Sequence, residues 1–512
     1  MSRQKAIDSI IRRILAGDAG AHSLDWIKRA ECKRFGIANM IKNPEILSRF
    51  PKGRLDAGTR ALLLKRPTRT LSGVTPVAVM IKPQGSCAHN CIYCPTSGLA
   101  AKSYSGFEPA ALRSRQAGFD PHIQASGRVA QYEGAGHPAD KCEIIVMGGT
   151  FLEMDREYKR SFIKGVYDGL NGPVSTTMEE AISANESAKH RAIGLTLETR
   201  PDACISHIGE MLSYGATRVE LGVQHADDRI YKTIRRGHTV KDVVSSTRAL
   251  KDASFKVLYH IMPGLPGSSK KKDISFVRKL FSSAGFRPDM LKIYPTLVLE
   301  GTPLKEMMDR GVFEPYSTEE AADVISEFYR SIPPYVRVMR IQRDIPSPLI
   351  AGGVKKSNLR ELVEKRLAEK GIIPKEIRCR EAGLQGRRTP DPRGFAMRRI
   401  DYGASGGKET FLSFENKDDL IAAFIRLRFP GKKGNPDAAL IRELHVYGCE
   451  LPLNARGGIQ HSGFGTSLLK EAESVARGEG WGRMRIISGV GAREYYRKFG
   501  YSLCGPYMEK KL

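Results

Sequence analysis

The sequence predicts an α/β chain: β/α repeats build a parallel sheet, a smaller α+β domain follows, and a basic helical arm precedes both. Three observations carry this. Apolar runs of strand length recur from residue 75 to about 310, several of them separated by helical patterns. Residues 401–512 hold a second set of alternating runs around one helical segment, and basic side chains concentrate at residues 1–70 and 337–400.

Residues 1–74 form the arm. Helical spacing of apolar residues covers 7–15 and 24–30, and Pro44 and Pro51 are expected to interrupt it because the residue before a proline avoids helical backbone. Within 75–330 the strand-like runs are 77–81, 142–147, 192–197, 218–223, 256–261 and 291–297, with helical patterns at 156–169 and 240–253. Strands alternating with helices indicate a parallel sheet. Residues 331–400 read as a basic linker. In 401–512, residues 422–428 and 440–447 alternate as strands, and 466–477 follow two glycines as a helix.

At 512 residues the chain is long enough for two to four domains with sizeable cores. The N-terminal residues lack the apolar segment of a secretion signal, and no apolar run approaches the roughly 20 residues that span a bilayer. Nine cysteines, an odd number with three of them clustered, fit a reducing cytoplasm. Residues 1–70 carry 16 basic against 6 acidic side chains, and residues 337–400 carry 17 against 7. These two stretches hold most of the net charge of +26, the footprint of a polyphosphate partner. A solvated face remains the alternative. A membrane surface fits less well, because the basic segments lack a strongly apolar opposite face.

The chemistry concentrates after the first strand, where Cys87, Cys91 and Cys94 form a Cx3CxxC array. Three thiolates hold three irons of a cubane cluster and leave the fourth open to a substrate, whereas electron-storing clusters are closed by four. A zinc site completed by His89 or Cys142 is the alternative, although no second paired-cysteine unit is present. Parallel sheets bind ligands at the carboxyl ends of their strands. There the chain carries Gly148, Gly149 and Thr150, then Glu198, Arg200 and Asp202, then Gln224, then Lys292. Glu198 and Arg200 suit either a ligand or a mutual ion pair at the barrel mouth. Lys292 suits either an anion in the cavity or a solvated rim, since an unpaired buried ammonium is costly.

A second candidate site lies in 401–512. Gln460 precedes Gly463, Phe464 and Gly465, which open the helical segment. Exposed N–H groups at a helix start favour a pyrophosphate. Two strands before this loop, with 484–488 and 492–501 after it, the whole resembles a GNAT acetyltransferase domain and its acyl-coenzyme A loop. The resemblance implies that Tyr495 or Tyr496 protonates a leaving thiolate; paired aromatics at a helix end are also ordinary core residues.

The cysteine array and the glycines after the second strand resemble the radical S-adenosylmethionine (SAM) superfamily, for which six strands suit a partial (β/α)6 barrel. Chemistry of that kind belongs to the cofactor, and the protein supplies placement. One family joins these two domains in this order, the catalytic subunits of Elongator. The resemblance runs over nearly the whole chain, through segments 77–83, 104–109, 146–151, 197–202, 235–239, 291–297, 340–346, 442–448 and 505–508. It implies that Cys87, Cys91 and Cys94 hold a [4Fe-4S] cluster and that Gly148, Gly149, Thr150, Glu198 and Gln224 contact SAM. It further implies that Lys141, Glu443, Leu444, His445, Val446, Gly463, Phe464, Gly465 and Tyr495 contact acetyl-CoA. The implied reaction moves hydrogen from the acetyl methyl group to a deoxyadenosyl radical, adds the resulting carbon radical to C5 of the transfer RNA wobble uridine, and hydrolyses the thioester to leave a carboxymethyl group. The implied partner is the anticodon stem-loop of tRNA, gripped by the arm and linker, with a homo-oligomer or an Elongator-like complex and no membrane. Unstacked loop bases suit such recognition. A protein lysine acetyltransferase with Glu443 as general base is the alternative from another class.

Departures from the family pattern are Ala88 for a proline in the array and Thr96-Ser97 after Pro95. The linker offers one cysteine, Cys379, so no structural zinc is expected there.

Overall fold

A computed structural model describes residues 2–20, 22–51, 53–64, 73–83, 87, 89–383, 391–431, 438–447 and 462–512. Ala88, Gly448, Cys449, Gln460 and His461 lie outside these. The strands in chain order are β1 (Val74–Met80), β2 (Lys141–Met147), β3 (Arg191–Thr199), β4 (Arg218–Gln224), β5 (Lys256–Ile261), β6 (Met290–Ile293), β7 (Val298–Leu299), β8 (Arg337–Ile341) and β9 (Ile350–Gly352). There follow β10 (Ala396–Ala404), β11 (Gly407–Glu415), β12 (Ile421–Phe429), β13 (Ala439–Val446), β14 (Arg483–Ile486), β15 (Ser502–Cys504) and β16 (Tyr507–Lys511).

The first sheet has the order β1-β2-β3-β4-β5-β6-β8 and is parallel throughout. Helices such as Arg156–Asn171 and Val240–Asp252 cover its outer face, so the wall alternates: Val77, Val79, Cys142, Ile144 and Val146 are fully buried in the apolar core beneath the helices. The opposite face of the same strands, with Glu143, Glu220 and Lys292, turns inward to a cavity. The sheet thus curls into a half-barrel.

Two expectations change here. The sheet has a seventh strand, β8, inside the stretch read as basic linker. Its alternation was hidden because Arg337 and Arg340, which read as surface charge, line the cavity. The run 291–297 is strand only to Ile293, after which Pro295 cannot donate to a ladder.

The second sheet, β10-β11-β12-β13-β14-β16-β15, is antiparallel except between β13 and β14. That parallel pairing covers only Ala439, Leu440 and Ile441, so β13 continues to Val446 without β14 beside it. The helix Phe464–Gly478 packs on β11, β12 and β13 through Leu468, Leu469 and Ala472, which belong to a second core.

The arm has a third core, built by the helices Ser2–Leu15, Leu24–Arg34, Asn43–Arg49 and Ala57–Leu63. Pro44 does not break a helix; it sits in the first turn of Asn43–Arg49, where its missing N–H costs nothing. Among the described residues no helix is long and apolar enough to cross a membrane.

Candidate active site

The cysteine loop follows β1 and is pinned from three sides. Ile92 donates its N–H to Ile234 O at 3.2 Å, Leu304 donates to Ile92 O at 3.0 Å, and Cys94 closes a turn onto Cys91 O at 3.0 Å. Cys87, Cys91 and Cys94 all line one cavity, and each is a free thiol. Cys142 sits on the opposite, helix-covered face of β2 and donates to Ala139 O, so it cannot complete the array. His89 faces Asp202, with Nε2 to Oδ2 at 3.3 Å. Burial and the neighbouring Cys91 push the Cys94 thiol up to about 11, against the opposing pull of Arg343, Lys102 and Arg236. Such a thiol gives up its proton to a metal rather than to water. Three thiols on one loop, ringed by cations, fit an anionic iron-sulfur cluster with one iron left open.

The strand ends above this loop carry the other candidates. Gly148 adopts φ +129° at the end of β2 and donates its N–H to Glu198 Oε2 at 3.2 Å, while Gly149 and Thr150 line the cavity. Glu198 accepts from Tyr104 Oη at 2.8 Å, and Arg200 pairs instead with Asp202, Nε to Oδ1 at 3.1 Å. The two are therefore not partners. Gln224, at φ +65°, lines the cavity beside them. Lys292 also faces the cavity, and its anion is Glu220, which accepts from His260 Nε2 at 2.7 Å as well. Burial would raise the Glu220 carboxyl, but Lys292 and His260 overcome it and keep it charged.

The cavity, about 1060 Å³, does not stop at the barrel's carboxyl end. It descends past Glu143, Arg218, Lys256 and Met290 to the amino ends of the strands and reaches Glu443, Leu444, His445 and Tyr447 on β13 and beyond its end. Arg337 closes this lower region, donating to Tyr447 Oη at 2.6 Å and to Glu381 Oε2 at 2.8 Å. Arg340, Arg343 and Arg378 line the same wall, so part of the positive charge of 337–400 points inward. Glu443 is bound by Arg426 Nε at 2.7 Å. Burial would raise its carboxyl, but Arg426 and Lys256 hold it below the usual range, which is the wrong direction for a general base near neutral pH. Burial lowers His445, so its imidazole is neutral.

On the far side of β13, Gly463 caps the helix Phe464–Gly478 at φ +80°, and Phe464 is anchored against Phe414 at 4.5 Å between ring centroids. A Cβ at Gly465 would come 2.9 Å from Tyr495 Oη and 3.5 Å from Val446 Cγ2, so these three residues are brought together. Tyr496 is instead buried in the second core. Lys141, the first residue of β2, shares the inward face with Glu143 but lies off the cavity wall.

Sequence reasoning placed His260 on the rim with the segment 260–267, and the cavity includes it, but it passed over Glu220, Arg218, Lys256 and Arg236. The signal was the alternation of polar and apolar residues along β4, from Arg218 to Gln224, beneath helices that already bury the other face. In a sheet closed on one side, the polar set must line an interior.

The Radical SAM superfamily pattern matches residues 81–280, and the Radical_SAM C-terminal domain pattern matches residues 288–369. A tRNA uridine(34) acetyltransferase of Methanocaldococcus infernus is 45% identical over 537 residues, covering 100% of both chains. One of Dehalococcoides mccartyi is 47% identical, over 88% of this chain and 100% of its own. Human Elongator complex protein 3 is 39% identical over 99% of this chain and 96% of its own. Among solved structures, the archaeal Elp3 of M. infernus with residues 1–46 deleted is 46% identical; the match covers 86% of this chain and 100% of that one, with a TM-score of 0.77.

Proposed function

This chain belongs to the family of tRNA uridine(34) acetyltransferases and Elongator complex protein 3, within the radical SAM superfamily, and we propose that it is a tRNA carboxymethyluridine synthase. Its substrates are acetyl-CoA, SAM and the wobble uridine of a tRNA. The overall equation consumes one SAM, one acetyl thioester, one uridine and one water, and yields 5′-deoxyadenosine, methionine, free coenzyme A, the 5-carboxymethyl base and one proton. The electron taken up in SAM cleavage is returned as the C5 hydrogen leaves as that proton, so no net electron is consumed. A cluster on Cys87, Cys91 and Cys94 supplies the reductive cleavage of SAM when bound.

The remaining work falls to side chains. Gly148, Gly149, Thr150, Glu198 and Gln224 cradle SAM beside the cysteine loop. Residues 401–512 act as a GNAT-type domain: Gly463–Gly465 present N–H groups to the pyrophosphate, and Val446 with Tyr495 flanks the thioester. Tyr495, whose phenol is raised by burial and therefore keeps its proton, donates that proton to the departing thiolate. Leu444 and His445 guide the acetyl end into the barrel, where the walls exclude water from the radical step. Lys292, held charged against Glu220, stabilises negative charge as the base is modified. The exposed basic residues of the arm grip the tRNA phosphates.

One observation carries this reading: a single cavity is lined both by the three cysteines and by β13 of the second domain. A methyl group entering from β13 and a radical source at the cysteine loop then share one chamber. Incubating reduced enzyme with deuteromethyl acetyl-CoA, SAM and tRNA should place deuterium in 5′-deoxyadenosine. Unlabelled 5′-deoxyadenosine accompanied by product would sink the abstraction step.

A further inference from the structure

Buried arginines are expensive, and this fold matches them with carboxylates. The seven other buried arginines among the described residues all form ion pairs, from Arg200 with Asp202 to Arg493 with Glu186. Arg236 is the exception. It is 8% exposed, has no carboxylate partner among the described residues, and leaves its Nε buried without a hydrogen-bond acceptor. Its two other nitrogens are engaged: Nη2 donates to Gly222 O, and Nη1 donates to Cys91 Sγ at 3.5 Å.

An uncompensated buried cation is strongly unfavourable, so a negative charge belongs next to it. Among the described residues, the ionisable side chain that accepts a hydrogen bond from it is Cys91, through Sγ. A three-thiolate iron-sulfur cube is anionic, and it gains one further negative charge on reduction. Hydrogen bonds to cluster sulfurs and nearby charge are established means of setting potential.

We propose that Arg236 is a potential-setting residue: by donating to Cys91 Sγ it stabilises the reduced state of the cluster and raises its midpoint potential. The inference rests on the radical SAM reading. The electron comes from an external low-potential one-electron donor, which is oxidised by one electron as the cluster is reduced by one; no covalent bond changes. Gly222 provides the seat, since a Cβ there would lie 2.5 Å from Arg236 Nη2 and 3.2 Å from Gln224 Nε2.

The test is an equilibrium redox titration of the reconstituted full chain, followed by the paramagnetic signal of the reduced cluster. The variants are Arg236→Met, Arg236→Lys and Gly222→Ala. Arg236→Met should lower the equilibrium constant for reduction at least tenfold, about 59 mV for a one-electron couple. Arg236→Lys should lower it less, because the charge stays and the planar fork is lost. Gly222→Ala should shift it in the same direction with every ligand and charge retained. A cluster-loaded Arg236→Met chain with the wild-type potential would overturn the inference while leaving the proposed function standing. If Arg236→Met retains no iron, an unshifted Gly222→Ala chain overturns it instead. A wild-type chain that binds no cluster overturns both.

Discussion

Arg442 grips Asp289 with two parallel bonds, Nη1 to Oδ2 and Nη2 to Oδ1, each 2.7 Å, and both side chains are fully buried. Asp289 precedes β6, and Arg442 lies where the β12–β13 register shifts, a bulge that re-aims a side chain out of its own sheet. The same guanidinium binds Glu409 Oε2 at 2.7 Å and Phe255 O at 2.9 Å. Arg428 adds Asp252, and Arg426 adds Tyr335 O at 2.7 Å. All the barrel residues in this set stand at or just before the amino ends of strands, so the second sheet is fastened across the barrel's amino end, under the cavity.

Removing one member should therefore be severe. Arg442→Met leaves Asp289 and Glu409 buried without their main counter-charge, and a broken buried pair costs about 3–5 kcal/mol. Urea unfolding followed by tryptophan fluorescence and far-UV circular dichroism should show the loss. A change below roughly 1 kcal/mol, the scale of an exposed pair, would mean that the clamp does not hold the two sheets together.

The clamp should also fail in acid. Burial would raise the Asp289 carboxyl, but Arg442 and Lys251 overcome it and hold it below its ordinary 3.8. A depressed carboxylate contributes stability that is complete above its unfolded pKa and is lost as pH falls through the folded one. Stability should be level in this respect above about pH 5 and decline below about pH 4. Asp289→Asn should lose stability overall and show a shallower acid limb.

Lys251 gives the opposite limb. Burial lowers its ammonium from 10.5 to about 8, although Asp289 and Glu409 lie at 3.5 and 3.7 Å. Between those two values the unfolded chain binds the proton that the folded chain has released, so stability rises with pH there. Unfolding free energies measured from pH 8 to 10 should climb in the native chain. Lys251→Met should flatten that slope; an equal slope in both would refute the assignment.

Gly465 and Tyr495 should separate binding from chemistry. Gly465→Ala crowds Tyr495 Oη and Val446 and should weaken acetyl-CoA binding about tenfold by calorimetry, the scale of one unfavourable packing contact. Tyr495→Phe should bind acetyl-CoA normally yet release free thiol roughly a hundredfold more slowly, as expected for loss of a general acid. Equal loss in both assays would make Tyr495 a packing residue.

The arm should reveal its partner through salt. Arg29 and Lys33 are exposed one turn apart on the helix Leu24–Arg34, beside the exposed Trp26. Replacing both with alanine should reduce the slope of log affinity for tRNA against log salt by about 1–2. Iron content should not change. An unaltered slope would exclude this helix from the RNA interface.

Much of this was legible in the residues themselves, because it depends on local chemistry. The spacing of Cys87, Cys91 and Cys94, the glycines at 148 and 149, and the apolar period of six barrel strands are all properties of short stretches. Their spacing is covalent and readable, although distant partners such as Ile234 and Leu304 hold the cysteine loop in place. The seventh strand was hidden because β8 carries arginines that face a cavity, and inward charge reads as surface charge until the enclosing wall is known. Tyr495 and Tyr496 are adjacent in sequence, and only packing decided that one hydroxyl meets Gly465 while the other ring joins a core. Arg236 reaches Cys91 across 145 positions, and Arg442 reaches Asp289 across 153. Such pairings are set by how whole elements dock, a balance of buried area and charge summed over the fold, and no local pattern contains them. The sequence by itself determined which reactive groups exist and on what loops; the tertiary structure alone decided that they open into one chamber.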